Sequence, residues 1–509
     1  MKFLSTRTLP LALLALVLCG FAPLDDEIVK EFKKYFKKFK ETPDRVEAVL
    51  ALEGEQAPAV VRALLPVLKD KEPEVVEAAV TVLSKFEERP PIDALLEALE
   101  SKKDESIRIG ILRAMGDGGY SGTKDGLLAC LPDRSWDVRR RAVQALAKGG
   151  YKDTCEAIVP LAKDKEVAVR CASLDALGAL ASELAIDPGI AALKDDSWQV
   201  RSSAIGALGK VRHKRSIGPL IEAMEVEQGR LITEFGDALG SITGRSFGTR
   251  TEQWRRFWDQ FKDRYEIPTD EELAKLREKQ KKIKESYKPP GTVNFIGVDT
   301  PSRSIAFVID TSGSMEDEVV EKERFEDGEY PSFRRIDIVK TELKRTIENL
   351  ESYVEFNIYS FATEVKQWKK KQVKANVLNK KSALEWVSRL DAIGGSSKED
   401  LARNGLTGSA NLGAGKTNTF DALMTALGAA GRGVKDKHYK VAVDTIFFLS
   451  DGRPSEGKFT VPEDILREVR KANELRKVVI HTIAIGQFQK TFMQTLAEAN
   501  GGIFVDLGK

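Results

Sequence analysis

The sequence predicts two dissimilar parts in one chain: an all-α array of stacked helix pairs, then an α/β unit whose doubly wound, largely parallel sheet is covered by helices on both faces. Leu52, Leu83, Met115, Leu146, Leu177, Leu208 and Leu239 close similar segments at successive separations of 31, 32, 31, 31, 31 and 31 residues. A near-constant period of that size marks a chain built from one repeated supersecondary unit. Beyond residue 294 the pattern changes: apolar runs at Ile305–Ile309 and Ile446–Leu449 each end in a carboxylate, and strand-like and helix-like stretches alternate.

At 509 residues the chain exceeds a single core, and with 31% charged and 42% apolar residues its composition is that of ordinary globular proteins. A formal net charge of +2 argues against nucleic acid as a partner for the chain as a whole. Lys2 and Arg7 precede an apolar run from Leu9 to Leu18, then Cys19-Gly20-Phe21-Ala22, the layout of a secretory signal peptide spanning 1–22. The run is shorter than the roughly 20 residues a spanning helix needs, so export is expected, with an uncleaved anchor as the alternative. Leu18 is bulkier than the residue that precedes a lipidated cysteine, which disfavours lipidation of Cys19. Cys130, Cys155 and Cys171 show no metal-ligand spacing and read as buried thiols, one disulfide being the alternative in an oxidising compartment.

In the segment 25–43, Ile28, Phe32, Tyr35, Phe36 and Phe39 form one helical stripe among lysines. This reads as a cap for the array; docking on an anionic membrane surface is the competing reading. The array spans 44–265. In Trp136–Leu146 and Trp198–Leu208 apolar residues recur at helical spacing, and small alanines let neighbouring helices approach. Asp133, Asp164 and Asp195 recur at the same period, as do Arg108, Arg139, Arg170 and Arg201, which predicts a ladder of Arg–Asp pairs between repeats. Trp136 and Trp198 share one repeat position, either packing turns or anchoring a partner. Trp254, Phe257, Trp258 and Phe261 mark a closing helix, and 266–293 is a charged helical linker ended by Pro289-Pro290-Gly291. The array resembles short HEAT-type repeats, helix pairs stacked into an α-solenoid.

Within 294–509, Asp310, Ser312 and Ser314 follow the first apolar strand at alternate positions, so their oxygens can converge where Gly313 lets the chain turn. Ligand crevices in open α/β sheets lie at such strand ends, and oxygen-only donors suit Mg²⁺, Mn²⁺ or Ca²⁺ rather than zinc or copper. Gly415-Lys416-Thr417-Asn418 opens a helical pattern, and Ile446–Ser450 is a second apolar strand, ending at Asp451.

These three segments, in this order, resemble the metal-ion-dependent adhesion site of von Willebrand factor A domains, over roughly Asn294 to the C-terminus. The resemblance implies a Rossmann-like α/β fold and a metal held by Asp310, Ser312, Ser314, Thr417 and Asp451, Mg²⁺ foremost. It further implies an adhesion-type binding protein rather than an enzyme, whose open coordination position takes an Asp or Glu from a protein partner. The Gly394-Gly395 pair resembles the family's lead into the threonine loop, which implies an insertion at Ser396–Ala414; threaded otherwise, Ser396 or Ser397 replaces Thr417.

Two other functions compete. Gly413-Ala414-Gly415-Lys416-Thr417 looks like the tail of a phosphate-binding loop, with Asp451 ending a Walker B-like strand, but Ala410 stands where the first glycine belongs and no apolar strand precedes the loop. A structural scaffold with a purely stabilising metal is the other. The histidines His213, His438 and His481 are scattered without catalytic or zinc spacing. Membrane association is expected only through an uncleaved leader or the N-terminal helix. The acidic run Glu316–Glu329 reads as a solvated loop, the sharper alternative being a carboxylate that closes the metal site in cis. The lysines of 366–381 read as protection of a sheet edge.

Overall fold

The computed structural model describes residues 24–101, 104–281, 292–393, 415–428, 442–486 and 490–507. The signal segment, Cys19, the Pro289–Gly291 break, Ser396–Ala414 and His438 lie outside the described residues. Contacts divide the chain into two compact units, Met1–Leu184 and Ala185–Lys509, so the division falls within the helical array.

Among its described residues the first unit is built from helices, from Leu24–Tyr35 to Val167–Ala179. Proline sits in the first turn of Thr42–Leu50, Pro58–Leu64, Pro73–Leu83 and Arg89–Glu100, where its missing N–H costs nothing. Leu52, Leu83, Met115, Leu146 and Leu177 are all buried, so the sequence period is a period of core positions. Cys130, Cys155 and Cys171 are buried. The N-terminal stripe differs from expectation: Val29 and Phe32 are buried, whereas Tyr35 and Phe39 are exposed. The α-helix stops at Tyr35, and a 3-10 turn over Phe36–Lys38 swings Phe39 out of phase with the stripe.

The charged ladder is observed. Arg108 pairs with Asp133, and Arg139 grips Asp164 through two bonds of 2.8 Å while donating to the Asp133 carbonyl at 2.8 Å. Each aspartate also accepts a turn amide, Ser135 N–H for Asp133 and Glu166 N–H for Asp164, so one carboxylate closes a turn and binds a neighbouring helix. In the second unit Arg201 uses Glu227 instead, at 2.8 and 3.2 Å. The tryptophans are half-buried with Arg140 over Trp136 and Arg230 over Trp198, which is turn packing.

The second unit begins with helices from Ile186–Ala192 to Asp270–Lys281, of which Thr251–Phe261 buries Trp254 and Phe257. A hairpin follows, β1 (Val293–Phe295) and β2 (Val298–Thr300), with Ile296 and Gly297 both at positive φ as a two-residue turn matched to strand twist requires. The main sheet contains β3 (Ser304–Asp310), β4 (Glu355–Phe361), β5 (Val365–Gln367), β6 (Val373–Lys374), β7 (Thr445–Ser450), β8 (Val479–Ala484) and β9 (Phe504–Asp506). Its order is β5-β4-β3-β7-β8-β9, with β6 also on β4; the β4-β3-β7-β8-β9 pairs are parallel, and β5 and β6 run antiparallel to β4. The lysine-rich stretch therefore lies on the sheet edge.

Ile305, Phe307 and Ile309 of β3 pack with α1 (Arg335–Asn349), α2 (Val377–Ser388) and the hairpin. Ala306 and Val308 face α3 (Thr419–Ala426), α4 (Pro462–Asn473) and α5 (Lys490–Ala499). A strand buried on both faces has to be apolar at every position, which is why Ile305–Ile309 reads as an unbroken run. The first helix after the edge strands begins at Val377, where Asn376 caps it by accepting from Asn379 N–H at 2.9 Å.

His481 on β8 is buried against Phe447, and its Nδ1 accepts from Ile503 N–H at 3.0 Å. Burial first, and the Arg230 charge second, pull it down to about 4. The folded chain thus holds His481 neutral while the unfolded chain protonates it near 6.5, so stability is full above that pH and declines as pH falls from 6.5 towards 4, by up to roughly 3 kcal/mol. Thermal melts from pH 7 to 4 are expected to show this slope in wild type and a shallower one in His481→Asn. In the ladder, Arg139→Ala leaves Asp164 buried without its cation and is expected to cost about 3 kcal/mol in urea unfolding.

Candidate metal centre

β3 is the strand at which the sheet changes direction of winding: β4 was added on one side and β7 on the other. The loops leaving the C-terminal ends of β3 and β7 therefore diverge, opening the crevice that such a switch point creates. Ile309 is level with Leu449, which sets Asp310 beside Ser450 and brings Asp451 out on the adjacent loop. Both carboxylates lie at the same end of the sheet.

Asp310 is fully buried. One oxygen accepts from Ser312 N–H at 2.8 Å, and the other accepts from the Ser450 hydroxyl. Ser312 Oγ and Ser314 Oγ lie 3.3 Å apart, and Ser314 Oγ donates to Asp451 Oδ1 at 2.8 Å. The other Asp451 oxygen accepts from Arg335 at 2.7 Å, and the same guanidinium nitrogen donates to the Ser314 carbonyl at 3.1 Å. Burial, then the charge of Asp451, push Asp310 up to about 7 against the hydrogen bonds from Ser312 and Ser450. Asp451 is raised by burial, opposed by Arg335 and Ser314.

Thr417 arrives from the second loop. Gly313 N–H donates to the Gly415 carbonyl at 3.0 Å, tying the first loop to the second. Thr417 N–H donates to Ser455 Oγ at 3.0 Å, and its carbonyl accepts from Ser455 N–H at 3.0 Å, tying the second to the third. Asn418 then caps α3 through Asp421 N–H and donates to Asp421 and to the Thr363 carbonyl. A Cβ on Gly452 would lie 2.9 Å from Thr417 Oγ1 and 3.4 Å from Ser314 Oγ, so the missing side chain leaves a small cradle walled by two hydroxyls. All five expected residues thus gather at one sheet end, with Asp310, Ser312, Ser314 and Asp451 in one hydrogen-bonded chain and Thr417 across the cradle.

Among the described residues no group of three or more His, Cys, Asp or Glu comes together as a metal cluster. This centre has two carboxylates and three hydroxyls, a donor set suited by its hard oxygens and by the space at Gly452 to a small divalent cation. Lys416 is paired with Glu456 at 2.7 Å, on the surface. The acidic run also has partners: Glu316 pairs with Arg334, Glu318 with Lys322 and Glu321 with Arg324, while Asp317 lies 3.6 Å from Arg335. Sequence reasoning passed over Arg335, Ser450 and Gly452. Arg335 opens a helix, and no local pattern marks its partner 116 residues away.

A solenoid of helix pairs joined to a switch-point α/β sheet with this crevice defines a class, and sequence comparison agrees with it. Residues 38–116 and 125–188 match HEAT repeats, residues 200–225 match the PBS lyase HEAT-like repeat, and residues 328–506 match the von Willebrand factor type A domain. The chain carries a HEAT-like helical repeat region followed by a von Willebrand A-family domain, an architecture consistent with a protein-interaction scaffold. The human inter-alpha-trypsin inhibitor heavy chain H4 is 26% identical over 209 residues, which are 41% of this chain and 18% of that protein. The mouse inter-alpha-trypsin inhibitor heavy chain 4 is 26% identical over 206 residues, 40% of this chain and 18% of its own length. The chain thus spans less than a fifth of the relatives it matches. Among solved structures, YibA of Escherichia coli shares 17% identity, covering 55% of this chain and 99% of its own, with a TM-score of 0.33.

Gly452→Ala fills the cradle without a left-handed backbone to forbid it. It is expected to weaken divalent-ion binding about tenfold or more while leaving the far-ultraviolet circular dichroism spectrum unchanged.

Proposed function

We propose that this chain is an exported, adhesion-type binding scaffold, in which the α/β domain holds a divalent cation and the HEAT-like solenoid offers a second interaction surface. The observation that carries the reading is the meeting of Asp310, Ser312, Ser314, Thr417 and Asp451 from three separate loops at the switch point of the sheet. When bound, Mg²⁺, or Mn²⁺ or Ca²⁺ in its place, supplies an electrophilic position for an Asp or Glu carboxylate of a protein partner.

The residues divide the work. Ser312, Ser314 and Thr417 contribute oxygens without charge, so only two carboxylates offset the cation. Ser450 holds one oxygen of Asp310, and Ser455 fixes the backbone of Thr417. The two inter-loop ties at Gly313–Gly415 and Thr417–Ser455 keep the donors gathered before a ligand arrives, which lowers the ordering cost of binding. No helix among the described residues is long and apolar enough to cross a membrane. The export reading rests on the layout of residues 1–22, and membrane contact is assigned only to that leader or to the N-terminal helix.

Calorimetric titration with Mg²⁺ is expected to show saturable binding to wild type and none to Asp310→Ala, with helical content equal in both. Pull-down from the exported fraction is expected to retain a partner that chelator releases. Equal Mg²⁺ binding by the two proteins defeats the assignment.

A further inference from the structure

We infer that Arg335 is a resident countercation of the candidate centre, taking up the charge of Asp451 that a bound metal would otherwise neutralise and thereby setting how tightly the centre binds a divalent ion. This rests on the metal-centre reading above.

The geometry is specific. Arg335 is the residue that opens α1, and a single guanidinium nitrogen donates both to Asp451 Oδ2 at 2.7 Å and to the Ser314 carbonyl at 3.1 Å. It therefore grips the first and third loops at two of the proposed ligands. The Asp451 side chain is wholly buried and that of Arg335 is 10% exposed, so the pair is shielded from water and salt. Arg335 Nε is buried with no hydrogen-bond partner among the described residues, so the guanidinium is oriented by the centre and not by its own full satisfaction. Asp317, 3.6 Å away, is 69% exposed and so a weak second partner.

Charge follows from this arrangement. Without Arg335, Asp310 and Asp451 would confront each other in a low-dielectric pocket and the ion-free loops would repel. With it, the ion-free centre is held together by a built-in cation. The same guanidinium opposes an arriving divalent ion, and it leaves the loaded centre with one positive charge beyond what the two carboxylates offset. Such a centre favours an anionic side chain over a neutral one.

The full chain is tested with Mn²⁺ by electron paramagnetic resonance and by thermal unfolding with and without the ion. Arg335→Gln is expected to bind Mn²⁺ at least about tenfold more tightly than wild type, to melt lower without the ion, and to gain more from it. Arg335→Lys keeps the charge and is expected to bind near the wild-type level. Wild-type affinity and an unchanged ion-induced shift in Arg335→Gln overturn the inference while leaving the metal centre standing; no saturable binding by either protein overturns both. Should Arg335→Gln fail to fold without the ion, refolding in Mn²⁺ is expected to rescue it. The double variant Arg335→Gln, Asp451→Asn is then expected to fold without Mn²⁺. A double variant as unstable as the single one makes Arg335 a packing residue and overturns the inference.

Discussion

Side by side at the ends of paired strands, Asp310 and Asp451 are both withdrawn from water, and a carboxylate in that position needs hydrogen-bond donors, a cation or a proton. Most local features of the centre answer that need. Ser312 N–H and the Ser450 hydroxyl serve Asp310, while Ser314 and Arg335 serve Asp451. The loop ties through Gly415 and Ser455 then hold those donors in place. None of this works unless β3 and β7 are neighbours in register, and that neighbourhood is supplied by the reversal of strand order at β3.

The solenoid solves a related problem by repetition. A helix pair cannot bury its apolar face alone, so stability accumulates between neighbours. The buried leucines supply area, and the arginine–aspartate pairs supply geometry: an aspartate that already closes its own turn is a fixed target, and the planar fork of Arg139 reads it from two sides. The substitution of Glu227 for an aspartate opposite Arg201 marks the place where the turn is built differently and the partner lies 26 residues on instead of 25.

Much of this was legible in the sequence because it is local. The repeat period, the strands ending in Asp310 and Asp451, and the sheet-edge lysines are all visible in windows of a dozen residues. What escaped was non-local or hidden in ordinary residues. Arg335 lies beyond the acidic run and reaches Asp451, 116 residues away, so no pattern around it announces the contact. Gly452 has no side chain to announce a role, and its role lies in the space it leaves. The N-terminal stripe was read as one helix because periodicity does not register a single 3-10 turn, and that turn carries Phe39 into solvent. At the start of α2, Val377 and Leu378 look like core residues, yet both are about 80% exposed, and it is Asn376 that begins the helix.

The acidic excursion after the first loop is pinched shut at its base. Arg335 N–H bonds the Asp317 carbonyl at 3.0 Å, Val319 N–H bonds the Phe333 carbonyl at 3.0 Å, and Glu318 bridges to Arg334. The residues outward of it are held as well: Phe325 is buried in the core beside α1, the Tyr330 hydroxyl donates to Glu342, and Arg345 donates to the Gly328 carbonyl, so a change of length in the excursion would be felt along the helix that Arg335 opens.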